Sequence, residues 1–325
     1  MGAIINLENI KSIYCNGVEI SSVYLNNDTL YQNSLIIDPE YNYFTFDTSL
    51  SSAYYVKLAN YRAGDTTEWD GYTNWGDGTI DKELSHWYSG EGVYTVKTKW
   101  MLSYPNNDDD SYSIHGETSR KLVACDNINI NISDMTNIFI DCQYLKSVDL
   151  SRFNTMYKRD MSNMFYKCYS LEEANMEGWD TSNVTSMKNM FYKCKVLTPQ
   201  VSHFNTSSVT DMSGMFAECG AIDGSQFSNW DVSSVTFMSS MFYYATVINN
   251  LDLAGWDVSN VSFFPNMFYY CKVNGHIDIS GWDITSSLVF DMFTGASCGS
   301  GTCSDIEHHV IHDGVPSEDW NIMKK

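Results

Sequence analysis

The chain has few basic residues, few prolines and no long apolar run. Its 325 residues include 19 lysines and arginines against 40 aspartates and glutamates, a formal net charge of −21, and only 5 prolines. Such an excess of negative charge repels nucleic-acid phosphates and anionic bilayers. No stretch approaches the roughly 18 apolar residues of a membrane helix, and residues 1–12 lack a basic region followed by an apolar core. We therefore expect no nucleic-acid binding, no membrane insertion and no secretion signal.

What the chain does contain is an internal repeat. Pairs of Met and Phe recur in steps of 25 or 26 residues, at Met164-Phe165, Met190-Phe191, Met215-Phe216, Met241-Phe242, Met267-Phe268 and Met292-Phe293, with Ile138-Phe139 one step upstream. A second ladder, an aromatic residue followed by Asp or Asn, keeps the same register, as at Trp179-Asp180 and Trp230-Asp231. Two ladders in register predict about seven stacked copies of one unit over residues 125–297.

Each copy is predicted to contain a strand, a turn and a short helix. Met187, Met190, Phe191 and Cys194 stand at i, i+3, i+4 and i+7, the spacing of one helix face. A ladder of apolar residues precedes the aromatic ladder and alternates with polar residues, which favours a half-buried strand. Its members are Leu150, Met176, Val201, Phe227, Leu253 and Ile279. These units predict a leucine-rich-repeat type solenoid, with residues 298–325 as a cap or tail.

Five of the nine cysteines occupy one position of the repeat, namely Cys142, Cys168, Cys194, Cys219 and Cys271. Ala245 and Ala296 fill the same position elsewhere, which predicts small, buried structural thiols. The tail holds a cluster of a different kind, Cys298, Cys303, His308, His309 and His312. It is compatible with a zinc site, with a Cys298 to Cys303 disulfide, or with unlinked residues. No cofactor is expected.

Residues 36–124 lack the repeat and contain strand-like runs. The phrase from Asn74 to Thr79 (NWGDGT), followed by His86-Trp87-Tyr88 and by residues 92–96, resembles the polycystic-kidney-disease (PKD) type immunoglobulin-like module. That resemblance implies a β-sandwich that acts as a spacer. Together with the repeats it gives an α+β multidomain fold class.

The repeats carry a more specific resemblance. The segment from Trp179 to Phe191 (WDTSNVTSMKNMF) is similar to the BspA-like leucine-rich-repeat family of bacterial surface and adhesion proteins. The resemblance implies attachment to host or extracellular-matrix ligands, and the family supplies no catalytic residues. Paired carboxylates could in principle hydrolyse glycans, but the chain has no Ser-His-Asp pattern, phosphate loop or metal helix motif, so we expect no enzyme.

Residues 1–35 are predicted to form a β module with a hairpin turn at Asn16-Gly17. The stretches at 13–18 and 23–27 resemble small N-terminal modules of bacteriophage structural proteins. This implies a phage virion protein that docks on other virion proteins through residues 1–35 and displays the repeats for host attachment. The alternative is a secreted or cell-surface bacterial adhesin of the BspA-like family.

Two rows of side chains are predicted to face outward and bind a host-surface protein or glycan. The first row follows each Phe and comprises Tyr166, Tyr192, Tyr243 and Tyr269. The second precedes the strand ladder and comprises Asp149, Asn175, Gln200, Gln226, Asp252 and Asp278. The alternatives are that the tyrosines pack on the next repeat or on neighbouring subunits of a homo-oligomer, and that the polar row is a solvated sheet face.

Overall fold

The structure is a computed structural model. It describes residues 42–50, 55–57, 73–83, 85–98, 121–126, 135–262, 264–284, 287 and 289–299, and the backbone of four strands within residues 14–32. The strands are β1 (Tyr14–Cys15), β2 (Val18–Glu19), β3 (Ser22–Leu25), β4 (Asp28–Gln32), β5 (Asn42–Asp47), β6 (Tyr55–Lys57), β7 (Thr73–Asn74), β8 (Ile80–Asp81), β9 (Ser85–Trp87), β10 (Val93–Thr98), β11 (Leu122–Asp126), β12 (Ser147–Asp149), β13 (Glu173–Asn175), β14 (Thr246–Val247), β15 (Leu251–Asp252), β16 (Lys272–Val273), β17 (Ile277–Asp278) and β18 (Ser297–Cys298).

The part of the chain that the structure describes is nearly all β and contains no α-helix. Its helical segments are two 3-10 turns, Thr48–Leu50 and Gly224–Phe227. The predicted α+β class, with a helix in each unit of a leucine-rich-repeat type solenoid, is therefore wrong. In contrast, β1 and β2 flank Asn16-Gly17 and pair antiparallel, with Cys15 opposite Val18, which confirms the pairing predicted there.

The expected immunoglobulin-like or PKD-like sandwich is also wrong. Strands of residues 42–126 join one seven-stranded mixed sheet, in the order β13-β12-β11-β5-β10-β7-β8, while β6 and β9 form a separate pair. β5 pairs antiparallel with β10 and β11, and β11 pairs parallel with β12 of the first repeat. The repeats thus cover an edge of this sheet that would otherwise expose unpaired N–H and C=O groups.

The Met-Phe segments fold as turns, because alternate backbone N–H groups bond in different directions. Those of Asn163, Phe165 and Lys167 donate to the next repeat at 2.8 to 2.9 Å. The acceptors are the carbonyls of Lys188, Met190 and Tyr192. The N–H groups of Tyr166 and Cys168 donate three residues back, to Asn163 and Phe165. An α-helix would send each N–H four residues back within the segment, so here pairing between repeats replaces the helix.

Two residues of each turn adopt the left-handed backbone region, with φ between 50° and 68°. The first row is Asn137, Asn163, Asn189, Gly214, Ser240, Asn266 and Asp291, and the second is Asp141, Lys167, Lys193, Glu218, Tyr244, Tyr270 and Gly295. A left-handed residue costs free energy and cannot continue a right-handed helix. Asn and Gly tolerate this region best, which explains their abundance in the first row.

The interior of the repeat stack, residues 135–299, consists of columns of equivalent side chains. The phenylalanines of successive Met-Phe pairs stack nearly parallel, with centroids 4.9 to 5.8 Å apart from Phe139 to Phe293. Beside them, the indole N–H of Trp179 donates to the Leu150 carbonyl one repeat back, at 2.9 Å, and Trp282 does the same to Leu253 at 2.7 Å. Each repeat therefore buries its apolar side chains chiefly against its two neighbours.

The cysteine column lies in the same interior. Cys142, Cys168, Cys194, Cys219 and Cys271 are free and buried, together with Cys125. The thiols of Cys168 and Cys194 donate to the carbonyls of Phe139 and Phe165 in the preceding repeat, at 3.1 and 3.2 Å. Cys298 is disulfide-bonded. Cys303, His308, His309 and His312 lie outside the described residues.

Candidate binding faces of the repeat stack

The predicted tyrosine row lies on one face of the stack, between the two rows of left-handed residues. Tyr166, Tyr192, Tyr243 and Tyr269 are all half-buried. They form two stacked pairs, Tyr166 with Tyr192 at 4.7 Å and Tyr243 with Tyr269 at 5.3 Å, separated by the buried Ala217. The rings within a pair are tilted by only 9° and 8°. Packing on the next repeat thus occupies ring faces and leaves ring edges and hydroxyl groups outward.

Tyr244 and Tyr270 extend the second pair into a block of four aromatic rings. They stack on each other at 5.0 Å and are 46% and 43% exposed. Tyr243 meets Tyr244 edge to face at 4.8 Å, and Tyr269 and Tyr270 lie 4.8 Å apart in a tilted arrangement. We call these four residues the tyrosine block. Exposed aromatic groups held by their neighbours suit contact with a partner, because little side-chain entropy remains to be lost.

In two earlier repeats, Lys167 and Lys193 take the positions equivalent to Tyr244 and Tyr270, and Lys195 lies two residues after Lys193. The ammonium groups of all three lysines lie over tyrosine rings. The pairs are Lys167 over Tyr166 at 5.2 Å, Lys193 over Tyr192 at 5.3 Å and Lys195 over Tyr169 at 5.5 Å. Desolvation by itself lowers the pKa of Lys193, but hydrogen bonding and attraction to the neighbouring Glu218 carboxylate outweigh it and raise that pKa. The sequence interpretation did not single out these lysines, although the recurrence of Lys167 and Lys193 two residues after a Phe is visible in the chain.

The second predicted row is largely engaged in shaping backbone turns. The Asp149 carboxylate accepts the N–H of Ser151 at 3.1 Å and the side-chain amide of Asn175 at 2.9 Å. Asp252 and Asp278 accept backbone N–H groups two residues on, at 3.2 and 2.9 Å. These bonds are the Asx turns that Asp and Asn favour. The row is therefore structural in part, and its role in recognition stays a prediction.

The remaining two members of this row are the glutamines. The Gln226 side-chain oxygen accepts the N–H groups of Val201 and Ser202, both at 3.1 Å, and so ties adjacent repeats together. Gln200 is exposed and donates to the Thr198 carbonyl at 3.2 Å. Gln226 thus holds the stack, whereas Gln200 leaves part of its amide to solvent.

An open cleft brings Asn175 and Gln200 together. It has a volume of about 830 Å³, and its polar lining includes Glu172, Glu173, Glu177 and His203. The imidazole of His203 lies 2.9 Å from the Met176 carbonyl. A smaller cleft of about 540 Å³ includes Asp252 but none of the other row members. The six residues of the row therefore do not form one continuous site.

The NWGDGT segment, residues 74–79, forms a turn that Asp77 stabilises. Its carboxylate accepts the N–H of Thr79 at 2.9 Å and lies 2.8 Å from the His86 imidazole, which stacks on Trp75 at 5.2 Å. Desolvation acts to raise the pKa of Asp77, but hydrogen bonds from Thr79 and His86 outweigh it and hold that pKa below its usual value. The Asp77 side chain therefore ties this turn together.

The described residues contain no group of three or more His, Cys, Asp and Glu side chains placed to hold a metal ion. Within the same residues, no helix is long and apolar enough to cross a membrane.

Comparison with known proteins gives one match, on the repeats. A family model described as "Mycoplasma protein of unknown function, DUF285" matches residues 124–225 and 195–305, which together span more than half of the chain. No curated protein and no solved structure matches. The match supports the resemblance to BspA-like surface proteins, whereas it shows neither the phage nor the PKD resemblance. On the strength of its repeats, the chain belongs to the DUF285 family.

Proposed function

We propose that the protein is a non-enzymatic adhesion protein of the BspA-like type that acts at a bacterial surface or after secretion. The observation that carries this proposal is the tyrosine block, Tyr243, Tyr244, Tyr269 and Tyr270, which stands on a rigid stack with two rings more than two-fifths exposed. Tyrosine is enriched at interfaces because it combines a large apolar ring with a hydrogen-bonding hydroxyl. The ligand is a host-surface or matrix protein or glycan.

The family match favours the bacterial adhesin over the phage virion protein, because it covers the repeats and not residues 1–35. Incorporation into a virion through residues 1–35 stays a prediction. An antibody against the protein distinguishes the adhesin from the virion protein. We expect the antibody to label intact producing cells or to detect the protein in their medium, and we expect purified virions from the same culture to remain unlabelled. Labelled virions would favour the phage role.

Adhesion is tested with the labelled full-length chain on cultured epithelial cells and on immobilised matrix proteins and glycans. We expect saturable binding that falls by about tenfold or more when Tyr243, Tyr244, Tyr269 and Tyr270 are replaced by Ser, as for the loss of an interface hot spot. Tyr157→Ser is the control, because this tyrosine is 78% exposed and lies outside the block. Equal binding by the block variant and the wild type would contradict the proposed site. Absence of all binding would contradict adhesion.

A further inference from the structure

A cationic patch interrupts an otherwise acidic stack. Residues 135–200 hold 8 basic and 7 acidic residues, whereas residues 201–299 hold 1 basic and 9 acidic residues. Three lysines of the first part gather around three tyrosine rings on the same face as the tyrosine block. This lysine–tyrosine patch consists of Tyr166, Lys167, Tyr169, Tyr192, Lys193 and Lys195.

Two of these lysines are available to an anionic ligand. Lys193 pairs with Glu218 at 3.2 Å, and the Tyr192 hydroxyl donates to the same carboxylate at 3.1 Å. Within the described residues, Lys167 and Lys195 have no carboxylate partner, and each ammonium group instead lies over a tyrosine ring. The patch therefore presents two uncompensated positive charges in a chain whose net charge is −21.

The backbone holds the patch in a fixed arrangement. Lys167 and Lys193 both occupy left-handed turn positions, with φ of 61° and 64°, and the Lys167 N–H donates to the Tyr192 carbonyl at 2.8 Å. Their ammonium groups lie over tyrosine rings, and these contacts restrain the long side chains. A ligand therefore meets ammonium groups that have already lost part of their rotamer freedom.

The tyrosines limit how a sugar can be bound. Tyr166 and Tyr192 cover each other's faces at 4.7 Å, so the stacking of a sugar ring on the facing sides of this pair is excluded. The ring edges remain accessible, and among the described residues the hydroxyls of Tyr166 and Tyr169, unlike that of Tyr192, have no hydrogen-bond partner. Phenol hydroxyls beside ammonium groups complement a ligand that carries hydroxyl groups around a carboxylate.

The negative charge of the neighbouring repeats also limits which ligands can bind. A densely sulfated polymer would extend from the patch over these acidic repeats, and their carboxylates would repel its sulfates. At physiological ionic strength such repulsion is screened only beyond about 8 Å. A chain with widely spaced charges avoids most of this repulsion. An acidic peptide offers carboxylates without the surrounding hydroxyls.

We infer that the lysine–tyrosine patch binds unsulfated glycans whose sugars carry carboxylates, such as chains containing uronic acid. This inference rests on the proposed adhesive function and names the ligand class for one part of the same face. Lys167 and Lys195 bind the carboxylates, and the hydroxyls of Tyr166 and Tyr169 bind neighbouring sugar hydroxyls. Glu218 keeps Lys193 and Tyr192 in place.

The test uses the full-length protein and a hyaluronan hexasaccharide, in which only every second sugar carries a carboxylate, by isothermal titration calorimetry. We expect binding that weakens by about tenfold or more in the double variant Lys167→Gln/Lys195→Gln, since two charge-assisted bonds are lost. The control Lys146→Gln/Lys272→Gln changes the net charge equally at two exposed lysines outside the patch and should bind as the wild type does. Circular dichroism melting curves confirm that both variants fold.

Three further probes define the ligand class. The neutral chitin hexasaccharide should not bind, and a heparin hexasaccharide should bind more weakly than hyaluronan. Tighter binding of heparin or of hexaglutamate would overturn the inference. So would the absence of hyaluronan binding, or equal weakening in the control variant. If cells or matrix still bind the chain while hyaluronan does not, the adhesive function stands and only this ligand assignment fails; if nothing binds, both fail.

Discussion

Phe165 and Phe191, which lie one repeat apart, are joined by two independent contacts. Their rings stack at 5.6 Å with an interplanar angle of 11°, and the Phe165 N–H donates to the Met190 carbonyl at 2.9 Å, beside Phe191. One contact joins side chains and the other joins backbones, so the two fix the same spacing and orientation. Repetition of this arrangement holds the outward face of the stack in register.

Truncation of a central ring should destabilise the stack more than truncation of the last ring. Phe191 contacts a ring on both sides, at 5.6 and 5.7 Å, whereas Phe293 stacks on Phe268 and is 7% exposed. We expect Phe191→Ala to lower the free energy of unfolding by about 3–5 kcal/mol, the usual cost of removing a buried aromatic ring, and Phe293→Ala to cost less. Urea denaturation measures both. Equal losses would show that the interior column is not continuous there.

The close approach of two backbones should make Gly220 sensitive to substitution, and Gly255 serves as its control. A Cβ atom added at Gly220 would lie 1.9 Å from the Lys195 carbonyl oxygen in the preceding repeat, whereas one added at Gly255 would meet nothing within 4 Å. We expect Gly220→Ala to destabilise the protein by about 1–3 kcal/mol or more, as overpacking does, and Gly255→Ala to be nearly neutral. Thermal melting followed by circular dichroism compares them, and a neutral Gly220→Ala variant would contradict the packing of these repeats.

The left-handed turn positions should tolerate Gly and reject β-branched residues. Asn266 has φ of 57°, and its N–H donates to the Phe290 carbonyl at 2.9 Å. We expect Asn266→Val to lower the free energy of unfolding by about 1–2 kcal/mol more than Asn266→Gly, because Val has a Cβ atom that clashes in this region. Chemical denaturation of the two variants gives the difference. A more stable Val variant would indicate helical backbone at this position.

The cysteine column should be unreactive in the folded protein and should make stability depend on pH. Burial raises the pKa of Cys271 to about 12 and raises those of Cys168 and Cys194 above the usual range. The unfolded thiols ionise near pH 8.5. The contribution of these thiols to the free energy of unfolding is therefore fully present below about pH 8.5. It is lost as pH rises through the folded-state pKa values, because the unfolded state releases protons that the folded state keeps.

Iodoacetamide labelling with peptide mass spectrometry tests this column. We expect the peptides that contain Cys125, Cys142, Cys168, Cys194, Cys219 and Cys271 to stay unlabelled at pH 8 and to be labelled after denaturation. Denaturation series between pH 7 and pH 10 should show a falling free energy of unfolding. Rapid labelling of the native column would mean that the thiols reach solvent.

The repeat period and most of the interior could be predicted from the sequence, but the helix could not be distinguished from the observed turn. Met187, Met190 and Phe191 are all buried, as a helix face would require. The same spacing also fits a wide turn whose alternate N–H groups pair with the next repeat. The local signal that separates the two is Asn at positions 163, 189 and 266, because these residues favour left-handed backbone.

The positions of the binding-face residues could also be predicted from the sequence, but the contacts that these residues make could not. The positions of Tyr166 and Tyr192 followed from the period, but the stacking between them depends on the close spacing of repeats, which the sequence does not give. The polar row looked like a free surface, yet Asp149 and Gln226 bind backbone N–H groups. Side chains suited to sugars are equally suited to turns, and only the backbone around them decides between the two.

The most direct test of the stacked turns is the detection of hydrogen-bond scalar couplings between amide nitrogens and carbonyl carbons in the deuterated full-length protein. In the stack described here, the amide nitrogen of Phe165 couples to the carbonyl carbon of Met190 and that of Lys167 couples to Tyr192. A helix would instead couple Phe165 to Met161 and Lys167 to Asn163, four residues back. Couplings between repeats are the predicted result, and couplings within the segment would contradict it.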